Sequence, residues 1–352
     1  MDFRRESASL RDGCGGCGRV RTAEIRMGME GFDQMKIVFL EADTLGTDTD
    51  LSMFDGLGEV IRYGLSDPAR NAERIREADI LVVNKVPMNE STLRDAGNLK
   101  LICITATGTN NIDFDYVQKR GIAVANVKGY STQSVIQHTF ALLFYVYEKL
   151  SYYDHFVKSG EYVRSDIFSH FDRKFNELAG KTWGIIGLGE IGRGVARAAS
   201  VFGCRVVYYS TSGNNRNPDY ERLSLPQLLS CSDIISIHAP LNHDTENLID
   251  TEEIAQMKSS AILLNLGRGP IVNQEALAAA LLEGKIAGAG LDVLNVEPME
   301  ADNPLLAVQD STKLIITPHI AWATVEARQR CANEVYENIR AYLRGEDRNR
   351  VA

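Results

Sequence analysis

The chain has 352 residues, 44% of them hydrophobic and 24% charged; this is an ordinary globular composition, and the length predicts two domains. The net charge of −9 argues against a nucleic-acid-binding protein that relies on a basic face. The longest apolar run, Phe140–Tyr147, is too short for a membrane span, and six scattered cysteines do not form a disulfide framework. We expect a soluble, cytoplasmic protein with neither nucleic acid nor a membrane as partner.

Residues 1–34 show no apolar periodicity, so we predict a disordered extension, or a start codon placed ahead of a working start at Met35. Cys14 and Cys17 form a CxxC pair, but a zinc site needs four ligands and no second pair follows. We therefore expect no metal site. Deletion of residues 1–34 is expected to leave activity and stability unchanged.

From Met35 onward, short β-rich runs alternate with helical patterns, which indicates an α/β fold with mainly parallel sheets. The first predicted strands cover 36–41, 59–63, 80–84, 100–105 and 122–126, with helical stretches near 68–78, 89–96 and 112–120. A long apolar helix is predicted over 131–158. Its apolar stripe is typical of a core or of a subunit interface, and it favours a homodimer.

A second series of strands begins at Trp183 and precedes an amphipathic last helix at about 324–344. These predicted strands cover 183–188, 204–209, 234–238, 261–266, 287–291 and 313–317. Two α/β units, each with its own sheet, predict two doubly wound, Rossmann-like domains. The cleft between them is then the natural ligand site.

A glycine-rich turn, Gly187-Leu-Gly189-Glu190-Ile191-Gly192, follows a predicted strand and opens a predicted helix. In this context the first glycine allows a tight turn, the second lets a pyrophosphate approach the backbone, and the third lets helix and strand pack closely. The phosphates then meet unpaired N–H groups at the helix N-terminus. The turn predicts a dinucleotide site.

The ribose end of that site lacks the acidic residue that an NAD-selective site usually has, about 20 residues further on. Ser210 stands at the expected position, and no Asp or Glu occurs from Ile191 through Pro218. Thr211 and Ser212 follow, and Arg216 lies close enough in sequence to reach a 2′-phosphate if the loop folds back. The cofactor is predicted as NAD or NADP, with use of NADPH at a rate comparable to NADH.

Three further segments carry polar residues at the ends of later predicted strands, where open α/β sheets bind ligands. Arg268 follows one strand, Asp292 and Glu297 follow the next, and His319 follows the last. Taken singly, each has an ordinary structural explanation as a surface arginine, a helix-capping acid or a core histidine.

Taken together, these segments resemble the D-isomer-specific 2-hydroxyacid dehydrogenase family over about residues 36–345. The matching motifs are GLGEIG, HAPL at 238–241, NLGRGPIV, LDVLNVEP and TPHIAWA, with the loop Ala106–Asp113 before them. Within the family, Asn84-Lys85, ATGTNNID and HIAW are most similar to the glycerate dehydrogenases and hydroxypyruvate reductases.

The resemblance implies catalytic roles for Arg268, Glu297 and His319. Arg268 would bind the substrate carboxylate, since a guanidinium matches a carboxylate in a forked geometry. His319 would be the general acid in reduction and the base in oxidation, and Glu297 would orient it and favour its protonated form. His138, on the long helix, is interpreted as structural.

The resemblance also implies two sets of binding residues. Those expected at the cofactor are Gly187, Gly189, Glu190, Ile191, Gly192, Ser210, Thr211, Ser212, His238, Ala239, Pro240, Leu266, Gly267, Arg268, Asp292 (on the nicotinamide side), His319 and Ala321. Those expected at the substrate are Lys85, Ala106, Thr107, Gly108, Arg268 and Trp322.

By resemblance, residues 35–128 and 319–352 form a substrate domain and residues 129–318 a dinucleotide-binding domain, in a homodimer. The expected reaction transfers a hydride between NAD(P)H and a small 2-keto acid, with hydroxypyruvate or glyoxylate as substrate. A 3-phosphoglycerate dehydrogenase and a dinucleotide-sensing corepressor are the alternatives. The first would bring extra basic residues for the phosphate, and the second would show no turnover of a 2-keto acid.

Overall fold

The computed structural model describes residues 35–352, and the predicted extension with its Cys14–Cys17 pair lies outside the described residues. The strands are β1 (Lys36–Phe39), β2 (Glu59–Arg62), β3 (Ile80–Val83), β4 (Leu101–Ile104), β5 (Ala123–Ala125), β6 (Thr182–Ile186), β7 (Arg205–Tyr209), β8 (Glu221–Arg222), β9 (Ile234–Ile237), β10 (Ile262–Asn265), β11 (Gly288–Leu291) and β12 (Leu314–Ile316). The α-helices are α1 (Asn71–Arg74), α2 (Glu90–Leu93), α3 (Phe114–Lys119), α4 (Thr132–Tyr147), α5 (Leu150–Lys158), α6 (Glu190–Val201), α7 (Leu225–Cys231), α8 (Thr251–Ala255), α9 (Gln274–Glu283) and α10 (Val325–Leu343).

The first sheet has five parallel strands in the order β2-β1-β3-β4-β5. Its central strands are apolar and buried on both faces, as parallel strands covered by helices must be. One face packs on α10 through Cys331, Val335 and Ile339. The chain end then returns to β5, where Val351 N donates to Val124 O (2.9 Å). The C-terminal helix therefore belongs to the packing unit of the first sheet.

The second sheet has seven parallel strands in the order β12-β11-β10-β9-β6-β7-β8. Counted from β6, this is the strand order of dinucleotide-binding folds, whose direction reverses between the first and fourth strands. Those strands are β6 and β9, and they pair directly. The predicted fold class, two Rossmann-like α/β units with parallel sheets, is confirmed. The two-residue edge strand β8 was not predicted.

The predicted helix over 131–158 is wrong in one respect, because two helices occupy that range. Lys149 lies between them with φ +57°, a left-handed conformation that ends a helix. Its Nζ donates to the carbonyl oxygen of Thr312 (2.9 Å), a distant contact that the local sequence does not reveal. α4 packs against β10, β11 and α6, whereas α5 buries none of its residues.

Two general features concern residues 35–352 as a whole. None of their helices combines the length and the apolar character needed to cross a membrane. Within the same range, no group of three or more His, Cys, Asp or Glu side chains is arranged to hold a metal ion. Cys103, Cys204 and Cys331 are buried free thiols, and Cys231 is a half-buried one.

Candidate active site

The turn between β6 and α6 depends on its glycines. Gly187 has φ +92°, and a Cβ on it would lie 2.8 Å from the backbone N of Ala239. A Cβ on Gly192 would lie 2.3 Å from the carbonyl oxygen of Gly187, whereas a Cβ on Gly189 would meet no heavy atom within 4 Å. The outer glycines are required by packing, and the middle one leaves open space at the N-terminus of α6. The turn therefore fits a dinucleotide pyrophosphate.

Glu190 and Ile191 form the first turn of α6. The Glu190 carboxylate accepts a hydrogen bond from Thr132 Oγ1 at the start of α4 (3.0 Å). A negative charge is favoured at a helix N-terminus, and here it also connects two helices. The expected contacts of Glu190 and Ile191 with a cofactor stay predictions.

The loop after β7 folds back on the glycine turn. Ser210 is buried, and its Oγ accepts the backbone N–H of Asn215 (3.2 Å). The Asn215 side chain then donates through Nδ2 to the carbonyl oxygen of Leu188 (2.6 Å). Thr211 is half-buried, and Ser212 is exposed near the tip. Asn215 was not identified from the sequence, because nothing local shows that it reaches back to residue 188.

Two basic residues flank this loop. Arg216, which the sequence analysis singled out, is exposed. Arg222, in β8, donates through Nη1 to the carbonyl oxygen of Gly213 (2.9 Å) and so lies directly against the loop. Arg222 was missed because a two-residue edge strand has no sequence signature. The loop therefore combines hydroxyl groups with a fixed guanidinium and no carboxylate.

The ends of β9 and β10 lie at the same edge of the sheet as the glycine turn. Both ring nitrogens of His238 are buried and have no hydrogen-bond partner within residues 35–352. Burial lowers the pKa of His238 to about 3, so this imidazole is neutral. Ala239, Leu266 and Gly267 are buried beside it, and Pro240 is exposed. A buried polar group without a hydrogen-bond partner costs about 1–3 kcal/mol of stability. A hydrogen bond between a bound ligand and the His238 ring would offset this cost.

Arg268 is held at its backbone by a buried asparagine. Asn265 Oδ1 accepts the N–H of Gly267 (3.1 Å), and its Nδ2 donates to the carbonyl oxygen of Arg268 (2.9 Å). A Cβ on Gly108 would lie 2.9 Å from Arg268 Nη2. The guanidinium therefore reaches from the second sheet to the loop that follows β4. Asn265 was present in the matched motif but received no role from the sequence.

The loop Ala106–Gly108 offers unpaired donors. Thr107 is fixed by its Oγ1, which donates to Val127 O (2.8 Å), and by its carbonyl oxygen, which accepts from Asn126 Nδ2 (2.8 Å). Within the described residues, the backbone N–H groups of Ala106, Thr107 and Gly108 donate to no protein atom. Successive free N–H groups beside a guanidinium form an anion-binding concavity. The site fits a carboxylate.

His319 and Glu297 form a hydrogen-bonded pair, with Nδ1 and Oε2 2.7 Å apart. The other carboxylate oxygen accepts the backbone N–H of Leu294 (3.0 Å). Burial by itself raises the pKa of Glu297, but the hydrogen bonds from His319 and Leu294 and the charges of His319 and Lys85 outweigh it and lower the pKa. Glu297 therefore stays a carboxylate, fixes the Nδ1–H tautomer and leaves Nε2 free for a substrate.

Asp292 holds the backbone of the loop that carries His319. Its Oδ1 accepts from Thr317 Oγ1 (2.6 Å) and Ile320 N (2.9 Å), and its Oδ2 accepts from Ala321 N (2.8 Å). His319 itself has φ +54°, a strained conformation for a residue with a side chain. The three bonds to Asp292 stabilise it. The expected contact of Asp292 with the nicotinamide stays a prediction.

Helix α4 holds the same loop from the other side. Ser134 Oγ donates to the carbonyl oxygen of Ala321. His138 Nε2 lies 3.0 Å from Thr317 Oγ1 and 3.5 Å from Asp292 Oδ1. Burial lowers the pKa of His138, against the opposing charge of Asp292. These contacts fit the structural interpretation of His138, and Ser134 is a further positioning residue that the sequence did not reveal.

Trp322 ends this loop and is half-buried. Its ring packs edge-on against Tyr130, with ring centroids 6.2 Å apart, and it joins the core of the first sheet. Lys85, at the end of β3, is exposed. The predicted contacts of Trp322 and Lys85 with a substrate stay predictions.

Fold and site together define a class of protein. The second sheet has the fold of a dinucleotide-binding domain, and Arg268, Glu297 and His319 follow the carboxyl ends of its strands. The loop Ala106–Gly108 beside Arg268 fits a carboxylate. This combination is typical of a nicotinamide-dependent oxidoreductase that acts on an organic acid.

The comparisons with known proteins agree with this class. Residues 140–321 match the family model described as D-isomer specific 2-hydroxyacid dehydrogenase, NAD binding domain. A glycerate dehydrogenase of Methylorubrum extorquens is 37% identical over 317 residues, 90% of this chain and 98% of the relative. A hydroxypyruvate reductase of Blautia hydrogenotrophica is 37% identical over 323 residues, 90% of this chain and 99% of the relative.

A solved structure extends the agreement to three dimensions. An acyclic imino acid reductase in complex with NADPH and D-Arg superposes with a TM-score of 0.77 at 28% identity, over 90% of this chain and 100% of that chain. The chain belongs to the D-isomer-specific 2-hydroxyacid dehydrogenase family. It is therefore an oxidoreductase with a nicotinamide dinucleotide as cofactor.

Proposed function

We propose that the protein reduces a small 2-keto acid to the D-2-hydroxy acid with NADH or NADPH, and that hydroxypyruvate is its main substrate, with glyoxylate as a second. The names of the two relatives support this choice. The observation that carries it is the His319–Glu297 hydrogen bond of 2.7 Å, since reduction of a ketone needs a proton donor held in one orientation.

His319 transfers the proton in this proposal. Glu297 accepts the Nδ1 proton, so the proton on Nε2 of the imidazolium is the one given to the forming alkoxide. In the reverse direction the neutral Nε2 removes it. Glu297 does not exchange its own proton with the substrate, because its lowered pKa keeps it charged. Its role is to orient the ring and stabilise the imidazolium.

Arg268 and the Ala106–Gly108 loop bind the substrate carboxylate from two sides. The guanidinium supplies a fork, and the free backbone N–H groups supply further donors. Arg268→Lys should raise KM at least about tenfold and lower kcat, because an ammonium cannot replace the forked contact. Steady-state kinetics with hydroxypyruvate measure this, and wild-type constants in the lysine variant would refute the assignment.

The glycine turn, the loop after β7 and the ends of β9 and β10 would hold the cofactor. When bound, the reduced nicotinamide supplies the hydride. The chain positions the keto acid by its carboxylate and provides the proton. Asp292 acts by keeping the loop around His319 in place.

We also propose that NADPH is used at a rate comparable to NADH. The support is the loop after β7, which has a buried serine where an acid would repel a 2′-phosphate, and Arg222 fixed against it. Arg222→Gln should weaken NADPH binding and leave NADH binding unchanged, with Arg94→Gln as control, since Arg94 is exposed directly after α2 in the unit of the first sheet. A wild-type preference for NADH above about a hundredfold, some 2.7 kcal/mol, would refute this part.

We propose the two-domain division at residues 35–128 with 319–352 and at 129–318, and a homodimer. The packing of α10 on the first sheet supports the division.

Exposed apolar side chains that follow α5 support the dimer, because monomers rarely expose a large apolar patch. They include Val163 (86% exposed), Phe168 (90%) and Phe171 (72%). Phe168→Glu with Phe171→Glu should give monomers in light scattering, and an unchanged mass would refute this interface.

We also propose a cytoplasmic location. The four cysteines within residues 35–352 are free thiols, as is usual for proteins of this reducing compartment.

The deciding experiment is a substrate panel. Hydroxypyruvate, glyoxylate, pyruvate and phenylpyruvate are each assayed with NADH and with NADPH, by following oxidation of the cofactor. We expect the highest kcat/KM with hydroxypyruvate. Faster reduction of pyruvate or phenylpyruvate would overturn the substrate assignment, and absence of turnover with all four would favour the dinucleotide-sensing alternative.

A further inference from the structure

A cavity of about 390 Å³ lies at the edge of the second sheet that faces away from the active site. Ala287 and Lys313 border it, and they come immediately before β11 and β12. Asp292 and His319 lie beyond the opposite ends of the same strands. Three to four residues at about 3.3 Å each separate the two ends, so this cavity is distinct from the catalytic cleft.

The lining of this cavity is rich in positive charge. Four basic residues, Lys149, Arg173, Lys174 and Lys313, line it together with Asp172 and Asp310. Within residues 35–352, none of the four basic side chains has a carboxylate oxygen within 4 Å, whereas other lysines and arginines do, such as Lys36, Arg62 and Arg205. A chain with a net charge of −9 thus concentrates unpaired cations at one concave place.

Several contacts hold these cations at the cavity. Lys149 Nζ donates to Thr312 O (2.9 Å), and Lys313 Nζ donates to Leu281 O (3.1 Å). Each ammonium group therefore keeps two further N–H bonds available. The Arg173 guanidinium lies over the ring of Tyr152, 5.2 Å from its centroid. Lys149, Lys313 and Arg173 are therefore held at the cavity by the protein, and Lys174 is exposed beside them.

The acidic residues offset only part of this charge, because two carboxylates face four basic side chains. Asp310 Oδ1 accepts from both the N–H (2.9 Å) and Oγ1 (2.7 Å) of Thr312, and these hydrogen bonds with the charges of Arg173 and Lys313 outweigh burial and lower the pKa of Asp310. Burial lowers the pKa of Lys149, the charge of Asp310 opposes this effect, and the charges of Arg173 and Lys313 lower the pKa further. The cations therefore repel one another in the absence of an anion.

We propose that this cavity binds a phosphate ester of a small organic acid, away from the active site. Arginine binds phosphate oxygens as a fork and lysines bind them as point charges, and within residues 35–352 both are present here without a carboxylate within 4 Å. A cavity of 390 Å³ is in the size range of small-molecule sites and holds an organic acid beside the phosphate group. This inference goes beyond the proposed reaction and does not depend on it.

Calorimetric titration of the full-length protein with phosphoglycolate tests the site, with inorganic phosphate and glycolate as separate arms. We expect a phosphoglycolate-binding event in wild type that is lost in the double variant Lys149→Met with Arg173→Gln, whereas binding of glycolate, the product of glyoxylate reduction at the active site, should be the same in both proteins. Tighter binding of phosphoglycolate than of inorganic phosphate supports an ester, and equal binding would overturn that part. Affinity should fall with added salt, because the contacts are ionic.

The variant Lys149→Met with Arg173→Gln should bind phosphoglycolate at least tenfold more weakly. The control is Lys119→Met, since Lys119 is exposed on α3 in the unit of the first sheet, and it should bind as wild type does. Unchanged affinity in the double variant, or no binding by wild type, would overturn the proposal. A second variant, Lys174→Met, removes an exposed cation and should also bind phosphoglycolate more weakly, with no change in the midpoint of thermal unfolding. Wild-type affinity in both variants would overturn the proposal.

Discussion

Two loops at the same edge of the second sheet are held in different ways. The loop after β12, which carries His319, is fixed by residues far away in sequence, such as Ser134, which lies 187 residues before Ala321. The loop after β7 is fixed by bonds over shorter sequence distances, since Ser210 Oγ accepts the N–H of Asn215 five residues on and Asn215 Nδ2 donates to Leu188 O in the glycine turn.

Because the two loops are held differently, we expect the catalytic step and the choice between NADH and NADPH to depend on different residues. The geometry of the catalytic loop depends on α4 and β11, so it exists only when the whole unit has folded. The loop after β7 keeps its shape through local bonds, so its side chains can change with little effect on the core. We expect substitutions in the first loop to affect turnover for every cofactor, and substitutions in the second to affect only the discrimination between cofactors.

The largest effect is expected from His319→Ala. Loss of a positioned proton donor typically reduces the rate about 10²–10⁴-fold, and we expect kcat for hydroxypyruvate to fall by that factor. Dinucleotide affinity, measured by quenching of protein fluorescence, should stay within about twofold, because the backbone bonds of the loop to Asp292 remain. A variant with full activity would remove His319 from the mechanism.

Asp292→Asn tests the support of that loop directly. The amide nitrogen would face an N–H or hydroxyl donor of the loop where a carboxylate oxygen now accepts, so His319 should shift. Displacement of a catalytic group by about 1 Å costs about 10²-fold in rate. We expect kcat to fall by that factor with both NADH and NADPH. The comparison of the loops would fail if the loss were confined to one cofactor.

Ser210→Asp is the matching test of the loop after β7. A carboxylate there repels a 2′-phosphate and accepts hydrogen bonds from ribose hydroxyls, with an expected cost to NADPH binding of about 1–3 kcal/mol. KM for NADPH should rise accordingly, and kcat with NADH should not change. Ser210→Asn, which has nearly the same shape without the charge, is the control. An equal rise for both cofactors would show that the loop has been distorted.

The fold could be predicted from the sequence because its signals are local. Buried parallel strands are apolar runs of four to five residues bounded by turns, and the predicted strands agree with the observed ones within one or two residues. The motifs likewise singled out Arg268, Glu297 and His319, of which the last two form a hydrogen bond, and their catalytic roles stay predictions. The break at Lys149 was not predictable, because the partner of that side chain, Thr312, is 163 residues away.

The residues that support the site were not predictable for the same reason. Asn265, Ser134 and Asn215 act through hydrogen bonds to the backbone of other segments. A backbone acceptor has no residue-type signature, so no sequence pattern reveals such a bond. The strained φ of His319 is also a product of the folded surroundings. Sequence motifs thus point to candidate reacting groups, whereas the residues that hold those groups become visible only in the folded structure.

The smallest expected effect, Glu297→Gln, separates orientation from charge in the catalytic loop. Glutamine can still accept the Nδ1–H of His319 through its amide oxygen, so the ring should keep its orientation, and only the negative charge beside the proton donor is lost. We expect kcat for hydroxypyruvate to fall with NADH and NADPH alike, but by less than in His319→Ala. Glu297 adds no limb of its own near neutral pH to the kcat/KM profile of the wild type, since hydrogen bonds and neighbouring charges lower its pKa. Glu297→Ala, which removes the acceptor as well as the charge, is the comparison and should lose more activity than Glu297→Gln. Equal losses in the glutamine and alanine variants would mean that the site needs the charge of Glu297 and not its hydrogen bond to His319.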